Sequence, residues 1–446
     1  MTNEQTGHQP AKAIESSGDV LVIGAGMAGL TAARALAKAG VRVLVLESQS
    51  RVGGRILTER IGDQILELGA EFVHGRPPEL LALIEEAGLT LAERDGTTLS
   101  FEEGHITGEE DERGDLFAPL EKLESFVGPD LSFAEFLERE PISQEERVAL
   151  IGYVESYNGA DSRKISAASL GRQQQAEAEI EGDRAFHVVG GYDQLPEYLA
   201  RRLEEHGGAL RADTRVQRVE WRPGHVEAVT NQGNFTARQA VVTLPLGVLQ
   251  SGRVTFHPAP GSILTQARRL HMGQVCRITL HLRERFWETL TPQPELSELS
   301  FLFTRAMVPS VWWTTHPTRS RLLTGWVGGP RSAQLLGLSA EALGRLACER
   351  LAEVFHLDVA YVREQLLGYS THNWQTDPNA LGAYSYLGSG GMDAPERLAE
   401  PVAETLYFAG EHTDVTGHWG TVHAAIGTGV RAAEQMLSAR GASGGE

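Results

Sequence analysis

The stretch from Asp19 to Arg55, DVLVIGAGMAGLTAARALAKAGVRVLVLESQSRVGGR, constrains the fold more than any other part of the chain. Val20 to Ile23 is an apolar, β-branched run of the kind that forms a buried parallel strand, and it leads directly into Gly24, Gly26 and Gly29 in G-x-G-x-x-G spacing. A helix is predicted next, with Leu30, Ala33, Leu36 and Ala37 at helical spacing and Gly40 as its stop. A second strand, Val41 to Leu46, ends in Glu47, eighteen residues after Gly29. Each glycine has its own mechanical duty. Gly24 permits the tight turn, Gly26 lets a diphosphate approach the backbone, and Gly29 lets the helix pack on the strand. The helix N-terminus then offers free N–H groups to negative charge, and Glu47 is placed to accept hydrogen bonds from ribose hydroxyls. A dinucleotide site is the expectation.

Arg51, Gly53, Gly54 and Arg55 follow as R-x-G-G-R, two cations and a bare backbone available for a second approach to the diphosphate. Ile65 to Gly75, ILELGAEFVHG, opens as a short strand and continues as a small-residue loop. Its Gly69 and Ala70 would let a ring system lie against the backbone, with Glu71 and His74 as polar groups of the pocket.

The chain of 446 residues has ample core and needs no staples. Two cysteines, Cys276 and Cys348, argue against a disulfide framework and point to a reducing, cytoplasmic setting. A formal charge of −19 disfavours a nucleic-acid surface and favours a cationic small substrate. Residues 1–17 are polar and read as a disordered tail, residues 441–446 as a flexible one, and no apolar stretch is long enough for a membrane anchor. No metal site is expected.

Helices are predicted at Pro78 to Ala87, Leu116 to Val127, Phe133 to Glu138 and Gln144 to Tyr157, and the acidic run from Glu102 to Asp115 reads as an exposed loop or hairpin tip. Leu210 to Val219, Val226 to Thr230 and Ala240 to Leu244 return the chain to a sheet. Val275 to Leu282 alternates, Phe301 to Phe303 and Leu322 to Val327 are apolar, and Ser339 to Phe355 is helical. Leu406 to Ala409 then runs into Gly410, Glu411 and His412, and a helix begins near Thr421. That second helix N-terminus would stabilise negative charge.

GAGMAGL, LES with RVGGR, ELGAEFVHG, VVGGYDQL, VVTLPLGVL, Gly273 to Trp287, LGAYSY, and YFAGEHT with TVHAAI occur in one order over nearly the whole chain. Together they resemble the flavin-containing amine oxidase family, which includes monoamine oxidases, polyamine oxidases and lysine-specific histone demethylases. The resemblance implies an α/β fold in which a Rossmann-like, glutathione-reductase-like FAD-binding domain (18–76, 188–257, 371–440) interleaves with an α+β substrate domain (77–187, 258–370). It implies FAD held by Gly24, Gly26, Met27, Ala28, Gly29, Glu47, Gly54, Arg55, Gly69, Ala70, Glu71, Phe72, Val216, Trp374, Gly410, Glu411, Thr421 and Val422. It also implies that Glu71, His74, Arg277, Tyr384 and Thr421 border the reacting atoms.

Three positions depart from the family pattern or choose within it. Ala383 stands where covalent members carry cysteine, so FAD is expected to be non-covalent. Tyr384 supplies one aromatic of the usual pair facing the flavin, while Thr421 occupies the other position, leaving Trp419 or His418 to close the cage. Arg277, four residues after Gly273 and nine before Phe286, replaces the usual lysine. Arginine keeps the positive charge but is a poor proton acceptor.

The implied reaction is oxidation of a neutral amine lying against Tyr384 to an imine that hydrolyses in water, with dioxygen reduced to hydrogen peroxide. An L-amino-acid oxidase or a C–C desaturase, with Arg277 pairing a substrate carboxylate, is the alternative. A flavin-stabilised binding protein with little turnover is a third.

Overall fold

The computed structural model describes residues 14–16, 18–108, 113–126, 128–290, 296–304 and 307–443. Its organising element is a five-stranded, all-parallel sheet in the order Ala209–Arg211, Val43–Leu46, Val20–Ile23, Gln239–Val242, Leu406–Phe408. Strands buried on both faces need apolar residues at every position, which is why Val20–Ile23 and Val43–Leu46 lack polar alternation. Val20 and Val22 point into a core shared with helices Met27–Lys38, Gln194–Glu205 and Val422–Ser443. Leu21 and Ile23 point the other way, onto the antiparallel meander Val216–Arg222, His225–Thr230, Gly233–Ala237. The glycine-turn helix Met27–Lys38 packs chiefly against Val422–Ser443, so the two helices whose N-termini meet the cavity support each other.

A second, seven-stranded sheet runs Leu366–Ser370, Val275–Leu282, Leu322–Gly328, Val311–Trp313, Leu299–Phe303, Thr97–Glu102, His105–Gly108. It is antiparallel except where Leu299–Phe303 meets Thr97–Glu102. Period-2 alternation divides its faces. Cys276, Ile278, Leu280 and Trp312 join the core beneath helix Ala340–Phe355, while Arg277, Phe301, Trp313 and Trp326 face a large cavity. Helices Phe133–Arg139, Gln144–Asn158 and Ala167–Glu179 form a further core. Ser132 with Glu135 and Ser143 with Glu146 make capping boxes at two of their N-termini, worth about 1 kcal/mol each.

Several expectations need correction. Residues 14–16 of the expected tail form a strand parallel to Gly233–Ala237; residues 1–13 and 17 lie outside the described residues. The last helix runs on to Ser443, so residues 441–443 are helical, and 444–446 lie outside the described residues. Helix Ala167–Glu179 is absent from the sequence reading because AASLGRQQQAEAE has too few apolar residues to show a period. The expected strand Leu210 to Val219 is two strands broken at Asp213, where φ is +51°. The division at 187/188 falls inside strand Ala185–Val188, which pairs with Phe72–His74 and Leu91–Glu93. The acidic run, by contrast, does form the expected hairpin tip at Glu103 and Gly104, and its residues 109–112 lie outside the described residues.

Candidate active site

Between the two sheets lies a cavity of about 1870 Å³. Its floor is the glycine turn. Gly24 has φ +107°, and a Cβ there would sit 2.7 Å from Thr243 Oγ1. A Cβ on Gly29 would lie 2.0 Å from the Gly24 carbonyl oxygen, whereas one on Gly26 would meet nothing within 4 Å. The turn is therefore closed where helix meets strand and open only at Gly26, on the cavity side, which is the shape a diphosphate requires. Met27 and Ala28, both buried, form the first helical turn behind it. Glu47 accepts from the Ala25 N–H at 2.7 Å and the Gln49 N–H at 2.9 Å and still borders the cavity, so strand end and glycine turn are tied at the residue expected to meet the ribose.

The R-x-G-G-R loop lies across this turn, with the Gly53 N–H donating to the Ala25 carbonyl at 2.8 Å. Gly54 has φ +59°, and a Cβ on it would stand 3.3 Å from Gly26 Cα. Arg51 does not present a free cation: its guanidinium donates to the carbonyls of Val52, Gly54 and Ile56 and clamps its own loop. Arg55 uses Nη1 on Glu411 at 2.8 Å and on the Ala383 carbonyl at 2.9 Å. Glu411 in turn accepts from the Ser385 hydroxyl at 2.5 Å and the Gly420 N–H at 3.0 Å, so this buried carboxylate holds Arg55 and two loops in register. Burial would raise the Glu411 carboxyl pKa, but the Arg55 guanidinium beside it holds it below the ordinary value.

Gly69 is fixed by packing, since a Cβ there would lie 1.9 Å from the Arg55 carbonyl oxygen and 3.1 Å from the Trp374 ring. Trp374 is anchored by its indole N–H on the Leu68 carbonyl at 2.9 Å. Ala70, Val216, Gly410 and Val422 all border the cavity, and Gly410 has φ +143°. Thr421 is the N-cap of the last helix. Its hydroxyl donates to the His418 carbonyl at 2.7 Å and accepts the Ala424 N–H at 3.1 Å, which accounts for a small hydroxyl residue there. Trp419 borders the cavity but its indole N–H is tied to the Asp414 carbonyl at 2.7 Å, and His418 turns its ring edge-to-face toward His423 at 4.7 Å.

On the sheet wall, Arg277 and Glu71 form a buried ion pair through Nη2, while Nη1 donates to the Gly69 carbonyl at 3.0 Å. The guanidinium lies 5.4 Å from the centroid of Trp313, whose indole N–H donates to Glu71 at 3.2 Å. Phe72 meets Trp313 at 5.4 Å and Phe301 at 5.7 Å. Opposite, the Tyr384 hydroxyl donates to the Tyr157 carbonyl at 2.8 Å, which fixes the ring, and burial raises its pKa. His74 contacts the rings of Phe72 at 6.0 Å and Tyr157 at 5.9 Å, and burial pushes it down to about 4, so it is neutral at neutral pH.

Two groups escaped sequence reading. Arg94 is buried and donates to the carbonyls of Ser300, Thr314 and His316, with its guanidinium 4.7 Å from Phe301 and 5.2 Å from Phe72; burial lowers it to about 10. Only its proximity to the L-G-A-E-F-V-H-G strand in space distinguishes it, and no sequence signal carries that. Glu67 accepts from Thr58 and the Tyr192 N–H, both at 2.7 Å, and burial pushes it up to about 7. With the folded value above the ordinary one, its contribution to stability is present below the ordinary carboxyl range and lost as pH rises through about 7. Glu67→Gln removes the charge, keeps one oxygen to accept the Tyr192 N–H, and turns its amide N–H2 toward the Thr58 hydroxyl, which can rotate to accept. The variant is expected to melt about 2–4 °C above wild type near about pH 8 and with no advantage near about pH 5, read by calorimetry of the holoenzyme.

The parallel sheet, its open glycine turn and the aromatic cavity above it define a dinucleotide-dependent oxidoreductase. The family described as flavin containing amine oxidoreductase matches residues 27–437, and the chain belongs to that family as an FAD-dependent amine oxidase. It is 30% identical over 446 residues to polyamine oxidase 3 of Oryza sativa subsp. japonica, covering 93% of this chain and 88% of that one. With lysine-specific histone demethylase 1 homolog 2 of the same organism it shares 28% identity, covering 94% of this chain and 57% of the relative. A solved putrescine oxidase, described as wild type bound to putrescine, superposes with a TM-score of 0.82 at 21% identity over 96% of this chain and 100% of that one, a likeness of fold. Among the described residues, no helix is long and apolar enough to cross a membrane.

Proposed function

We propose that the protein oxidises an amine at the carbon bearing nitrogen, that the resulting imine hydrolyses to a carbonyl compound plus ammonia or a shorter amine, and that dioxygen is the electron acceptor, giving hydrogen peroxide. FAD supplies the two-electron chemistry, held without a covalent bond since Ala383 offers no nucleophile. The open Gly26 side, the helix N-terminus at Met27 and the acceptor Glu47 suit its diphosphate and ribose.

The observation that carries this reading is an aromatic slot beside Tyr384 in which Arg277, Arg55 and Arg94 are each already bound to a protein acceptor. Phe72 and Trp313 make its wall apolar, and Tyr384 presents a fixed ring against which a neutral amine can lie. His74, neutral at working pH, adds no charge that would repel or trap a protonated substrate. Arg277, bound to Glu71 and Gly69, orders water through its charge and does not take a proton. The carboxylate-binding alternative would require Arg277 to leave Glu71, and a buried acid without its partner is costly. Cytoplasmic placement fits Cys276 and Cys348, both free and buried.

The test is anaerobic mixing of the yellow holoenzyme with a panel of monoamines, polyamines and amino acids. Bleaching of the flavin by amines, peroxide release on admitting air, and flavin freed into solution by denaturation are expected. Bleaching confined to carboxylated substrates would replace this reading with an amino-acid oxidase, and no bleaching at all would leave a binding protein.

A further inference from the structure

Beyond Tyr384 the cavity continues along helices Gln144–Asn158 and Ala167–Glu179, and this outer part has a chemistry of its own. Tyr157 joins the two regions. Its backbone carbonyl accepts the Tyr384 phenol at 2.8 Å, and its own phenol donates to Glu177 Oε1 at 3.2 Å. Gln173, one helical turn before Glu177, donates from Nε2 to the same oxygen at 2.9 Å. Among the described residues, Oε2 receives no hydrogen bond and Glu177 has no ion-pair partner.

That is unlike Glu71, Glu93, Glu155 and Glu411 of the same cavity, although Glu145 and Asp183 on its border also have no ion pair among the described residues. Glu71 is paired with Arg277, Glu411 with Arg55 and Glu93 with Arg184, while Glu155 accepts from the Ser162 hydroxyl and N–H. Glu177 is anchored through one oxygen by two neutral donors, and desolvation raises its carboxyl pKa with no cation to oppose it. A carboxylate so placed gains most from a cation that brings its own N–H donors. The wall beside it is aromatic: Tyr153 and Tyr157 are stacked at 5.9 Å and 9°, and Phe117 packs edge-on to Tyr153 at 4.8 Å. Alkyl carbons can lie along those rings, and an ammonium at their edge is further stabilised by the ring quadrupole.

We infer that Glu177, framed by Tyr157 and Tyr153, is the subsite for the second, protonated nitrogen of a diamine or polyamine whose reacting carbon lies against Tyr384. This rests on the amine-oxidising reading above. Tyr157 acts as the spacer, since one end of the residue fixes the phenol at the reacting end and the other fixes the carboxylate. The substrate class is thus a flexible aliphatic amine with two basic nitrogens, one neutral when it reacts and one charged.

The test compares putrescine and spermidine with butylamine on wild type, Glu177→Gln and Tyr157→Phe holoenzymes. Glu177→Gln keeps the side-chain shape and an acceptor for Tyr157. It is expected to raise the KM of both polyamines about tenfold or more with kcat nearly unchanged, and to leave the KM of butylamine within about twofold. Tyr157→Phe should give a smaller rise with the same selectivity. Flavin content equal to wild type shows that the variants are folded. Equal changes for mono- and polyamines, or no change for polyamines, would overturn the assignment. Should no amine reduce the flavin, the amine-oxidising reading fails, and the subsite is judged separately by titrating the oxidised holoenzyme's visible spectrum. A putrescine-specific perturbation lost in Glu177→Gln sustains it, and indistinguishable titrations of putrescine and butylamine overturn it.

Discussion

Arg277→Leu is expected to cost about 3–5 kcal/mol of unfolding free energy, because it strips the partner from a carboxylate already removed from water. Glu71 would retain only the Trp313 indole N–H, and the Gly69 carbonyl would lose its donor. Adding Glu71→Gln should recover most of the loss, since the buried charge goes with its partner. Urea denaturation of the wild-type, single and double variants measures the coupling, and a leucine variant as stable as wild type would show that water already solvates Glu71. Arg277→Lys separates structure from chemistry. Lysine preserves the charge but not the planar fork, so one of the contacts to Glu71 and Gly69 weakens, at about 1–2 kcal/mol. Lysine can also exchange a proton with bound water. Reoxidation of the reduced holoenzyme by dioxygen should therefore speed up, by about tenfold on the reasoning that arginine is no proton acceptor. Stopped-flow mixing reads this directly, and an unchanged rate would remove residue 277 from the oxidative half-reaction.

What was legible in the sequence is what local sterics and short-range periodicity decide. The duties of Gly24, Gly26 and Gly29 follow from the absence of a Cβ, and the structure places open and closed space around them in the expected pattern. Alternation in Val275–Leu282 likewise separates a core face from a cavity face without knowledge of its neighbours. Other features depend on partners far away in the chain. Arg277 and Glu71 are 206 residues apart, and neither sequence context announces the other. Arg51 lies in a motif that reads as two cations for phosphate, yet nearby backbone carbonyls capture it, a competition that composition does not reveal. Thr421 illustrates a double constraint: read as a gap in an aromatic pair, it is also the hydroxyl that caps the helix behind it. Glu177 was hidden because its helix lacks an apolar period, so the element carrying it was invisible before the fold was known.

The glycine turn allows stability and cofactor binding to be pulled apart. In Gly29→Ala the new methyl would stand 2.0 Å from the Gly24 carbonyl oxygen, a backbone contact that no rotamer relieves. Helix Met27–Lys38 must move away from strand Val20–Ile23, disturbing the core it shares with Val422–Ser443, at more than about 3 kcal/mol. In Gly26→Ala the methyl meets no protein atom within 4 Å, and the backbone angle, φ −74°, is one alanine adopts freely. The fold without cofactor should therefore keep its stability to within about 0.5 kcal/mol. That methyl nevertheless occupies the space through which a diphosphate reaches the Met27 end of the helix, so FAD affinity should fall by about a hundredfold or more. Free FAD at about a thousand times its Kd stabilises wild type by about 4 kcal/mol, and at the same concentration this increment should fall to about 1.4 kcal/mol or less in Gly26→Ala while the melting point without cofactor stays put. Gly29→Ala should lose both. Thermal melts of the stripped protein across an FAD titration distinguish the cases. Full cofactor stabilisation of Gly26→Ala would mean that the diphosphate approaches the chain elsewhere, and the functional reading built on this turn would have to be abandoned.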